Sequence, residues 1–402
     1  MTISNVEVAT VAPVSFPRSK EMLPDSPFGM GIYSGNRYSS DEMHRAAQMA
    51  VDAGIKWARE EITWARVEPQ RGQWDWDLYD QAVDTASAHG ISLFGLLDYW
   101  TDWTQPYTSD GIRDFCEYVR HTVSRYKERV RHWEIWNEPN LKQFWAGTPE
   151  QYAELLNASA LTCKRADPTC RVIGICTSGT DLRFIEKVSS LGGLENVDIV
   201  SVHPYRYPRT PEESDLIGEL RNASGLLRRL KRSIPLWVTE IGYPTHAGEN
   251  GSDPAQQARM LVRSYLQCIA SRVVEKVFWY DYRDDGEDVN YNEHNFGILK
   301  RDFTPKPAYT AFSVMTAALE GLKFSGTVGL GRDVVAYRFE APGGNKHCLV
   351  GWTLSGQRSV EWTARGTVAA LDPAGLRRLL RPHEGRITAT LSESPLFLLG
   401  DL

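Results

Sequence analysis

The sequence has 402 residues, of which 42% are hydrophobic and 24% charged, as in folded globular proteins with more than one ordinary core. The formal net charge is −6 and no basic run is present, which argues against nucleic acid or an anionic membrane surface as a partner. No apolar stretch approaches the roughly 20 residues that span a bilayer.

The first 27 residues are predicted to be an N-terminal extension. Residues 5–11, NVEVATV, alternate between apolar and polar side chains and are predicted to add a strand to a C-terminal β-sandwich. The chain begins without the basic segment and apolar segment of a secretory signal. A cytoplasmic location is therefore expected.

Between residues 28 and 319, short apolar runs alternate with longer helical patterns. Eight β-then-α units with nearly continuous apolar strands predict a parallel sheet buried on both faces. Eight repeats favour a closed (β/α)8 TIM barrel over a doubly wound sheet. The predicted strands are 28–33, 55–60, 91–97, 130–137, 171–176, 197–203, 235–240 and 274–280. The predicted helices are 41–53, 77–89, 110–127, 149–166, 181–190, 212–232, 254–271 and 306–319.

The pattern changes from residue 320 to residue 402. Short alternating runs such as VVAYRFE and RITATLS are separated by turns rich in glycine and proline. This pattern predicts a small antiparallel β-sandwich domain, so the expected fold class is α/β, with a TIM barrel followed by a β-sandwich.

Two glutamates stand at the ends of predicted barrel strands. In HWEIWNEPN, Pro139 cannot extend a strand, so Glu138 lies where the fourth strand ends. In WVTEIGYP, Glu240 ends the seventh strand. Because functional groups of TIM barrels collect at the carboxyl ends of the strands, these two carboxyl groups are expected to face each other.

Paired carboxyl groups of this kind cleave glycosidic bonds, one as acid/base and the other as nucleophile. Arg59 on the second strand is expected to keep Glu240 ionised, and Trp136 with neighbouring aromatic rings to keep Glu138 protonated. A retaining mechanism predicts that the carboxyl groups lie about 5 to 5.5 Å apart.

The motifs WEIWNEPN and TEIGYP resemble those of glycoside hydrolase family 39, within the clan A (β/α)8 glycosidases. FWYDYRDDG and NFGILKRDFTPKPAYTAF are similar to clan members too. The resemblance covers residues 28 to 320 and extends to the appended β-sandwich. It implies a retaining O-glycosyl hydrolase that acts on an oligosaccharide or polysaccharide, such as β-xylosides, related β-linked glycans or a bacterial exopolysaccharide.

The resemblance also implies a role for each residue at the strand ends. Glu138 matches the acid/base and Glu240 the nucleophile, while Asn137 matches the residue that binds the 2-hydroxyl of the sugar. The other matches are Arg59 and Tyr205 as partners of the nucleophile, His203 as a hydrogen-bonding residue of the pocket, and Trp279 as the platform below the sugar.

The third strand departs from the family pattern. Many clan members carry a histidine after this strand, whereas this chain has Asp98-Tyr99-Trp100. Asp98 is a candidate for contact with the sugar. Trp100 is a candidate for a subsite platform or for a loop core.

Two other functions are weighed against a glycosidase. A metal-dependent TIM-barrel hydrolase is disfavoured, because the first strand ends GMGIYSG without a His-x-His pair. A carbohydrate-binding barrel without catalysis would be expected to lack one of the two glutamates. No cofactor or metal is therefore expected. The loop DYRDDGEDVNYN does not fit an EF-hand, since Arg283 and Asn292 fall at ligand positions, and it is predicted to be a solvated rim.

Overall fold

A computed structural model describes residues 21–230, 233–344 and 346–402. The predicted strand at residues 5–11 lies outside the described residues. In the described part of the chain, no helix is long and apolar enough to cross a membrane.

The TIM barrel predicted from the sequence is confirmed. Eight parallel strands close into a ring in chain order, each paired with the next and the eighth with the first. They are β1 (Phe28–Gly31), β2 (Trp57–Thr63), β3 (Ser92–Asp98), β4 (His132–Ile135), β5 (Arg171–Ser178), β6 (Ile199–His203), β7 (Leu236–Ile241) and β8 (Val274–Trp279).

Eight long helices follow the barrel strands, and two short ones extend the loops after β1 and β2. They are α1 (Ser34–Arg37), α2 (Ser40–Ala53), α3 (Trp64–Val67), α4 (Asp77–Ala88), α5 (Ser109–Tyr126), α6 (Pro149–Ala166), α7 (Leu182–Ser190), α8 (Leu216–Arg229), α9 (Pro254–Ala270) and α10 (Pro307–Leu319). The short helices α1 and α3 are not predicted from the sequence, because four residues are too few to show a helical period.

Side chains that satisfy free backbone groups fix where several helices begin. The Thr148 hydroxyl accepts from the Gln151 backbone N–H, and the Gln151 side-chain oxygen accepts from the Thr148 backbone N–H at 2.8 Å. This pair of hydrogen bonds fixes the start of α6. Helix α8 begins later than predicted because Asp215 is its N-cap, with its carboxylate accepting from the Gly218 N–H at 3.1 Å.

Alternate residues of the barrel strands point into the ring. At the level where the strands begin, six apolar side chains from six strands form their own cluster, separate from the core below the helices. Phe94 and Phe278 meet at 4.7 Å between ring centroids, and Trp57 meets Trp237 at 5.6 Å. This aromatic floor fills the base of the barrel and is completed by Ile173 and Ile199.

The C-terminal residues form the predicted β-sandwich, and the change from helix to strand falls between Leu319 and Lys323. One sheet has six strands in the order β14-β13-β16-β11-β10-β9 and the other pairs β12 with β15. The strands are β9 (Lys323–Thr327), β10 (Val334–Glu340), β11 (His347–Thr353), β12 (Arg358–Thr363), β13 (Val368–Leu371), β14 (Arg377–Leu380), β15 (Arg386–Leu391) and β16 (Leu396–Leu399).

The six-stranded sheet is covered on both faces. Tyr337, Phe339 and Trp352 belong to the same core as the barrel helices, whereas Leu349 and Leu398 pack in a second core with Trp362 of the smaller sheet and its neighbours. A polar contact adds to this interface, because Trp352 Nε1 donates to Glu212 at 3.0 Å. Glu212 in turn pairs with the buried Arg263.

Candidate active site

The polar residues of the site stand on the inward face of the barrel, above the aromatic floor. On β2 the side chains of Trp57 and Arg59 both point inward, because successive side chains of a strand alternate between its two faces. Arg59 therefore lies one pleat above the floor, fully enclosed at 1% exposure. Its charge can be held there only by partners that surround it.

Arg59 donates hydrogen bonds to several polar side chains of the site. Its Nε donates to Glu134 at 2.8 Å, its Nη2 donates to Asn137 Oδ1 at 3.0 Å, and its Nη1 donates to both Glu240 and the Tyr33 hydroxyl. Arg59 is therefore the cation that is paired with the buried Glu134. One guanidinium group orients both the amide and the carboxylate at the ends of β4 and β7.

Glu240 is held as an anion. Its carboxylate accepts from the Tyr205 hydroxyl at 2.7 Å and from Arg59, and His203 Nδ1 lies 3.5 Å away. Burial alone would raise the pKa of Glu240, but His203, Arg59 and Tyr205 outweigh burial and lower this pKa below its usual value. An ionised carboxylate with a free lone pair is the form that a nucleophile requires.

Glu138 lies opposite, at the turn where β4 leaves the barrel. Its backbone has a positive φ of 43°, and its N–H donates to the Cys176 carbonyl of β5 at 2.9 Å. Its carboxylate meets Nδ1 of the fully buried His203 at 2.9 Å. The expectation that Trp136 keeps Glu138 protonated stays a prediction.

His203 links the two carboxyl groups to the polar layer beneath them. Its Nε2 lies 3.0 Å from the Thr239 hydroxyl, which donates to Glu134 at 3.0 Å, so Nε2 carries a proton. The pKa of His203 is raised well above its usual value, because Cys176, Glu240 and Glu138 lie against the ring and outweigh burial. A proton therefore also lies in the hydrogen bond between His203 Nδ1 and the Glu138 carboxyl group.

The two glutamates are close enough to act on one atom. One carboxylate oxygen of Glu138, one of Glu240 and one ring nitrogen of His203 all lie within 4.8 Å of one another. This upper limit on an oxygen-to-oxygen distance lies below the roughly 6.5 to 9.5 Å of inverting glycosidases. A single anomeric carbon between the carboxyl groups would be within reach of both.

A cavity of about 770 Å³ opens above these groups. Arg59, Asn137, Glu138, Tyr205 and Glu240 form part of its wall, which brings five of the predicted site residues together. His203 lies directly behind the two glutamates. The cavity is large enough for a sugar unit and part of a second group.

Trp279 does not form the platform predicted for it. It is fully buried and stacks on Tyr243, with ring centroids 6.1 Å apart. Because Phe278 points into the barrel, the alternation of the strand turns Trp279 outward and the next residue back toward the cavity. Tyr280 forms the cavity wall at this position.

Asp98 and Trp100 also lie off the cavity wall. Asp98 is fully buried on β3, beside the part of β2 that carries Glu61. Trp100 is 44% exposed on the rim, with its ring centroid 6.5 Å from that of Trp136. Neither side chain is among those that line the cavity.

Two acidic residues of the cavity escape prediction from the sequence. Glu61 could have been found, because it lies two residues after Arg59 and therefore on the same inward face. Glu293 comes from the loop after β8, and burial raises its pKa to about 7. Aromatic rings of other loops complete the wall, namely Tyr33, Tyr99, Phe144, Tyr207, Tyr280, Tyr291 and Phe296.

The acidic loop after β8 is neutralised by cations of the chain itself. Lys306 Nζ donates to Asp284 at 2.7 Å, and Arg37 pairs with Asp281 and Asp285 at 2.5 Å each. These pairs occupy the carboxylates that a calcium ion would need. The prediction of a solvated rim is wrong for the first part of this loop, because Asp281 and Arg283 are buried at 1% and 2% exposure.

Two groups of side chains in the described residues have the spacing of metal ligands. One joins Glu138, His203 and Glu240, and the other joins Glu134, Cys176 and His203. Arg59 is bonded to a carboxylate of each group, so its charge would oppose a bound cation. The donor sets therefore fit a metal poorly.

A buried carboxylate pair, a histidine and an arginine at the mouth of a TIM barrel define a glycosidase-like site. The model of glycosyl hydrolases family 39 matches residues 98–334, and a model named beta-galactosidase (family 42) matches residues 32–94. The chain belongs to glycosyl hydrolase family 39.

Individual relatives agree with this assignment. The beta-xylosidase of Caldicellulosiruptor saccharolyticus is 28% identical over 218 residues, which is 50% of this chain and 44% of that one. The beta-xylosidase of Geobacillus stearothermophilus is 26% identical over 246 residues, 54% of this chain and 48% of that one. The chain thus spans about half the length of these curated relatives.

Solved structures share the fold over nearly the whole chain. A family 39 glycoside hydrolase from Bacteroides cellulosilyticus WH2 has a TM-score of 0.80 and 26% identity, covering 95% of this chain and 81% of that one. A GH39 beta-xylosidase from Caulobacter crescentus has a TM-score of 0.69 and 18% identity, covering 98% of both chains.

Proposed function

We propose that this chain is a retaining β-glycosidase, with Glu240 as nucleophile and Glu138 as acid/base. The observation that carries the proposal is the pair itself. The two carboxyl groups lie within 4.8 Å of each other, and Glu240 is held by a guanidinium and a phenol. A carbohydrate-binding barrel without catalysis would have no use for a buried nucleophile kept ionised.

The first step forms a covalent glycosyl-enzyme. The Glu240 carboxylate attacks the anomeric carbon while the bond from that carbon to the leaving oxygen breaks. Glu138 gives its proton to the leaving oxygen, and His203, hydrogen-bonded to Glu138, stabilises the carboxylate that remains. Asn137 is held by Arg59 at the cavity wall, in position to bind the 2-hydroxyl of the sugar.

The second step releases the sugar. Glu138, now a carboxylate, takes a proton from a water molecule whose oxygen attacks the anomeric carbon. The ester bond to Glu240 breaks and the carboxylate returns to Arg59 and Tyr205. Two inversions leave the sugar with its original β configuration.

The substrate class we propose is a β-xyloside or a related neutral β-linked glycan. The beta-xylosidases among the relatives support this choice, and so does the cavity of about 770 Å³.

The test separates the two glutamates on 4-nitrophenyl β-D-xyloside. Glu240→Ala should lose turnover, and azide should restore it as an α-glycosyl azide. Glu138→Ala should keep turnover of this activated substrate better and give a β-glycosyl azide, although on unactivated xylobiose it should lose about 100- to 10,000-fold.

Proton NMR of the first product should show the β-anomer with the wild type. Glu275→Ala, which removes an exposed glutamate at the opposite end of the barrel, is the matched control and should retain activity. An α-anomer as the first product, or exchanged azide stereochemistry between the two variants, would overturn the assignment of roles.

A further inference from the structure

Two carboxyl groups outside the catalytic pair stand on the inward faces of neighbouring strands. Glu61 of β2 and Asp98 of β3 are diagonal neighbours, because the register pairs Glu61 with Leu96 and Thr63 with Asp98. Asp98 is fully buried, and neither of its oxygens meets any N–H or hydroxyl donor. A buried carboxyl group without a donor, beside a second carboxyl group, is stabilised by taking up a proton, which it can then donate to its neighbour.

The donor in this pair is Asp98. Glu61 already accepts from Asn36 Nδ2 at 2.7 Å, which favours its charged form, whereas Asp98 has no other partner. Burial and the neighbouring Glu61 raise the pKa of Asp98 well above its usual value. The other groups that face the pair are Arg37, Arg59, Tyr79, Tyr99, Tyr118, Cys176 and Glu240.

Glu61 reaches the cavity and Asp98 does not. Glu61 lies two residues beyond Arg59 on the same face of β2, which places it roughly 6 to 7 Å nearer the mouth of the barrel. Arg59 contacts both Glu240 and Asn137, the groups assigned to the anomeric carbon and the 2-hydroxyl. Glu61 therefore faces a part of the sugar more distant from the reacting bond.

We infer that Glu61, fixed by the proton of Asp98, determines sugar specificity by accepting from glycone hydroxyls away from the anomeric carbon. This inference rests on the proposed glycosidase function and deepens it. Asp98 is a positioning residue, since it acts only through Glu61. The favoured glycone is a neutral sugar with a free hydroxyl at that place.

The charge of the cavity also favours a neutral sugar. Glu61, Glu138, Glu240 and Glu293 line it, against the two cations Arg37 and Arg59. A glycuronide would bring its carboxylate close to Glu61 without a cation that is free to receive it, because both arginines are already paired with carboxylates. A hydroxyl donor fits this wall and an anionic sugar does not.

The experiment compares 4-nitrophenyl β-D-xyloside with its 3-deoxy and 4-deoxy forms. In the wild type, one deoxy form should lose about 10- to 100-fold in kcat/KM beyond its intrinsic reactivity, as expected for a lost hydrogen bond to a charged group. Glu61→Gln should lower kcat/KM for the parent xyloside by a similar factor and remove the preference for the hydroxyl. Glu60→Gln, the outward-facing neighbour, should change both substrates by the same factor.

Substitution of Asp98 tests the shared proton. Asp98→Asn still donates an N–H to Glu61 and should keep kcat/KM within about threefold, with KM rather than kcat carrying any change. Asp98→Ala removes the donor and should lose the hydroxyl preference as Glu61→Gln does. If Asp98→Ala does not fold, Asp98→Asn is the remaining test. Loss of the preference for the sugar hydroxyl in Asp98→Asn would contradict the inference.

The two proposals fail in different ways. If the wild type hydrolyses the xyloside but Glu61→Gln slows parent and deoxy substrates equally, only the specificity role of Glu61 is overturned. Faster turnover of 4-nitrophenyl β-D-glucuronide than of the xyloside also overturns it. If the wild type cleaves no aryl β-glycoside, both proposals are wrong.

Discussion

Arg59 shows how a single residue sets the ionisation of the site. It is the one guanidinium bonded to both Glu134 and Glu240 among the described residues, and it is 1% exposed. Two carboxylates and one guanidinium leave a negative charge, which the raised pKa of His203 balances by keeping a proton on its ring. The anion of Glu240 is thus stabilised by charge on two sides and by the Tyr205 hydroxyl on a third.

Removal of the Tyr205 hydroxyl should move the acid limb of the pH profile. The Tyr205 hydrogen bond favours the anion of Glu240, so Tyr205→Phe raises the pKa of Glu240. Because the nucleophile acts as an anion, kcat/KM rises with pH through this pKa. The acid limb should therefore move to higher pH than in the wild type, and the plateau should fall about tenfold.

The measurement is a profile of kcat/KM against pH on an aryl β-xyloside. Tyr207→Phe, which removes another hydroxyl from the cavity wall, is the control and should leave the acid limb in place. An unchanged acid limb in Tyr205→Phe would show that this hydrogen bond does not set the ionisation of the nucleophile.

At the scale of elements, backbone strain concentrates where strands meet the cavity. Tyr33, Tyr99, Trp136, Glu138 and Cys176 all have positive φ without being glycine. All five lie in or directly after barrel strands, at their carboxyl ends. Each such conformation costs of the order of 1 to 3 kcal/mol, so the surrounding structure must enforce it. These strained conformations turn side chains in directions that a regular strand would not give them.

This strain explains what the sequence could and could not predict. The repeat of apolar runs and capped helices predicts the barrel, and the order of the motifs predicts Glu138 and Glu240 at facing strand ends. Side-chain direction near a strand end depends on irregular pairing, such as the shifts after Gly174 in β5 and Val238 in β7. The wrong placement of Trp279 has a simpler cause, since Phe278 faces the barrel interior and regular alternation then turns Tyr280, not Trp279, to the cavity.

The proximity of Glu61 and Asp98 is also beyond sequence reasoning. The two residues lie on neighbouring strands 37 positions apart, and only the register that pairs Thr63 with Asp98 brings their carboxyl groups together. The strand β16 escaped prediction too, since LFLL lacks alternation. It lies between β13 and β11, and Phe397 and Leu398 belong to different cores.

The capping box of α6 gives a prediction for an element. Thr148→Ala removes the side chain that accepts from the Gln151 N–H, and it should lower the free energy of unfolding by about 1 kcal/mol. Urea unfolding followed by circular dichroism measures this change. Thr162→Ala, inside the same helix, is the control and should have a smaller effect, because it leaves no helix end uncapped. Equal effects of both variants would contradict a capping role.

At the scale of the whole molecule, the β-sandwich is a continuation of the barrel rather than an appendage. One face of its larger sheet shares the core of the barrel helices through Tyr337, Phe339 and Trp352. Separation of the two would expose this apolar surface to water, which favours joint unfolding. We expect fluorescence and far-UV circular dichroism to report one coincident urea transition.

Loss of the polar contact across the interface should destabilise the chain strongly. Glu212→Ala leaves the Arg263 guanidinium, 2% exposed, without its paired carboxylate and should lower the free energy of unfolding by about 3 to 5 kcal/mol. Glu361→Ala breaks an exposed pair with Arg386 and should lower it by less than about 1 kcal/mol. Two separate transitions, or similar losses in both variants, would show that the interface does not couple the domains.

The aromatic floor of the barrel limits how water and sugars reach the site. Because Trp57, Phe94, Trp237 and Phe278 close the base of the ring, no route leads from below to the ester on Glu240. The water that completes the reaction must arrive by the mouth through which the leaving group departs. An alcohol or a second sugar that waits at that mouth competes with water for the same ester. On the proposed mechanism, water and an acceptor sugar reach Glu240 through the same opening, so we expect transfer to a sugar to compete with hydrolysis.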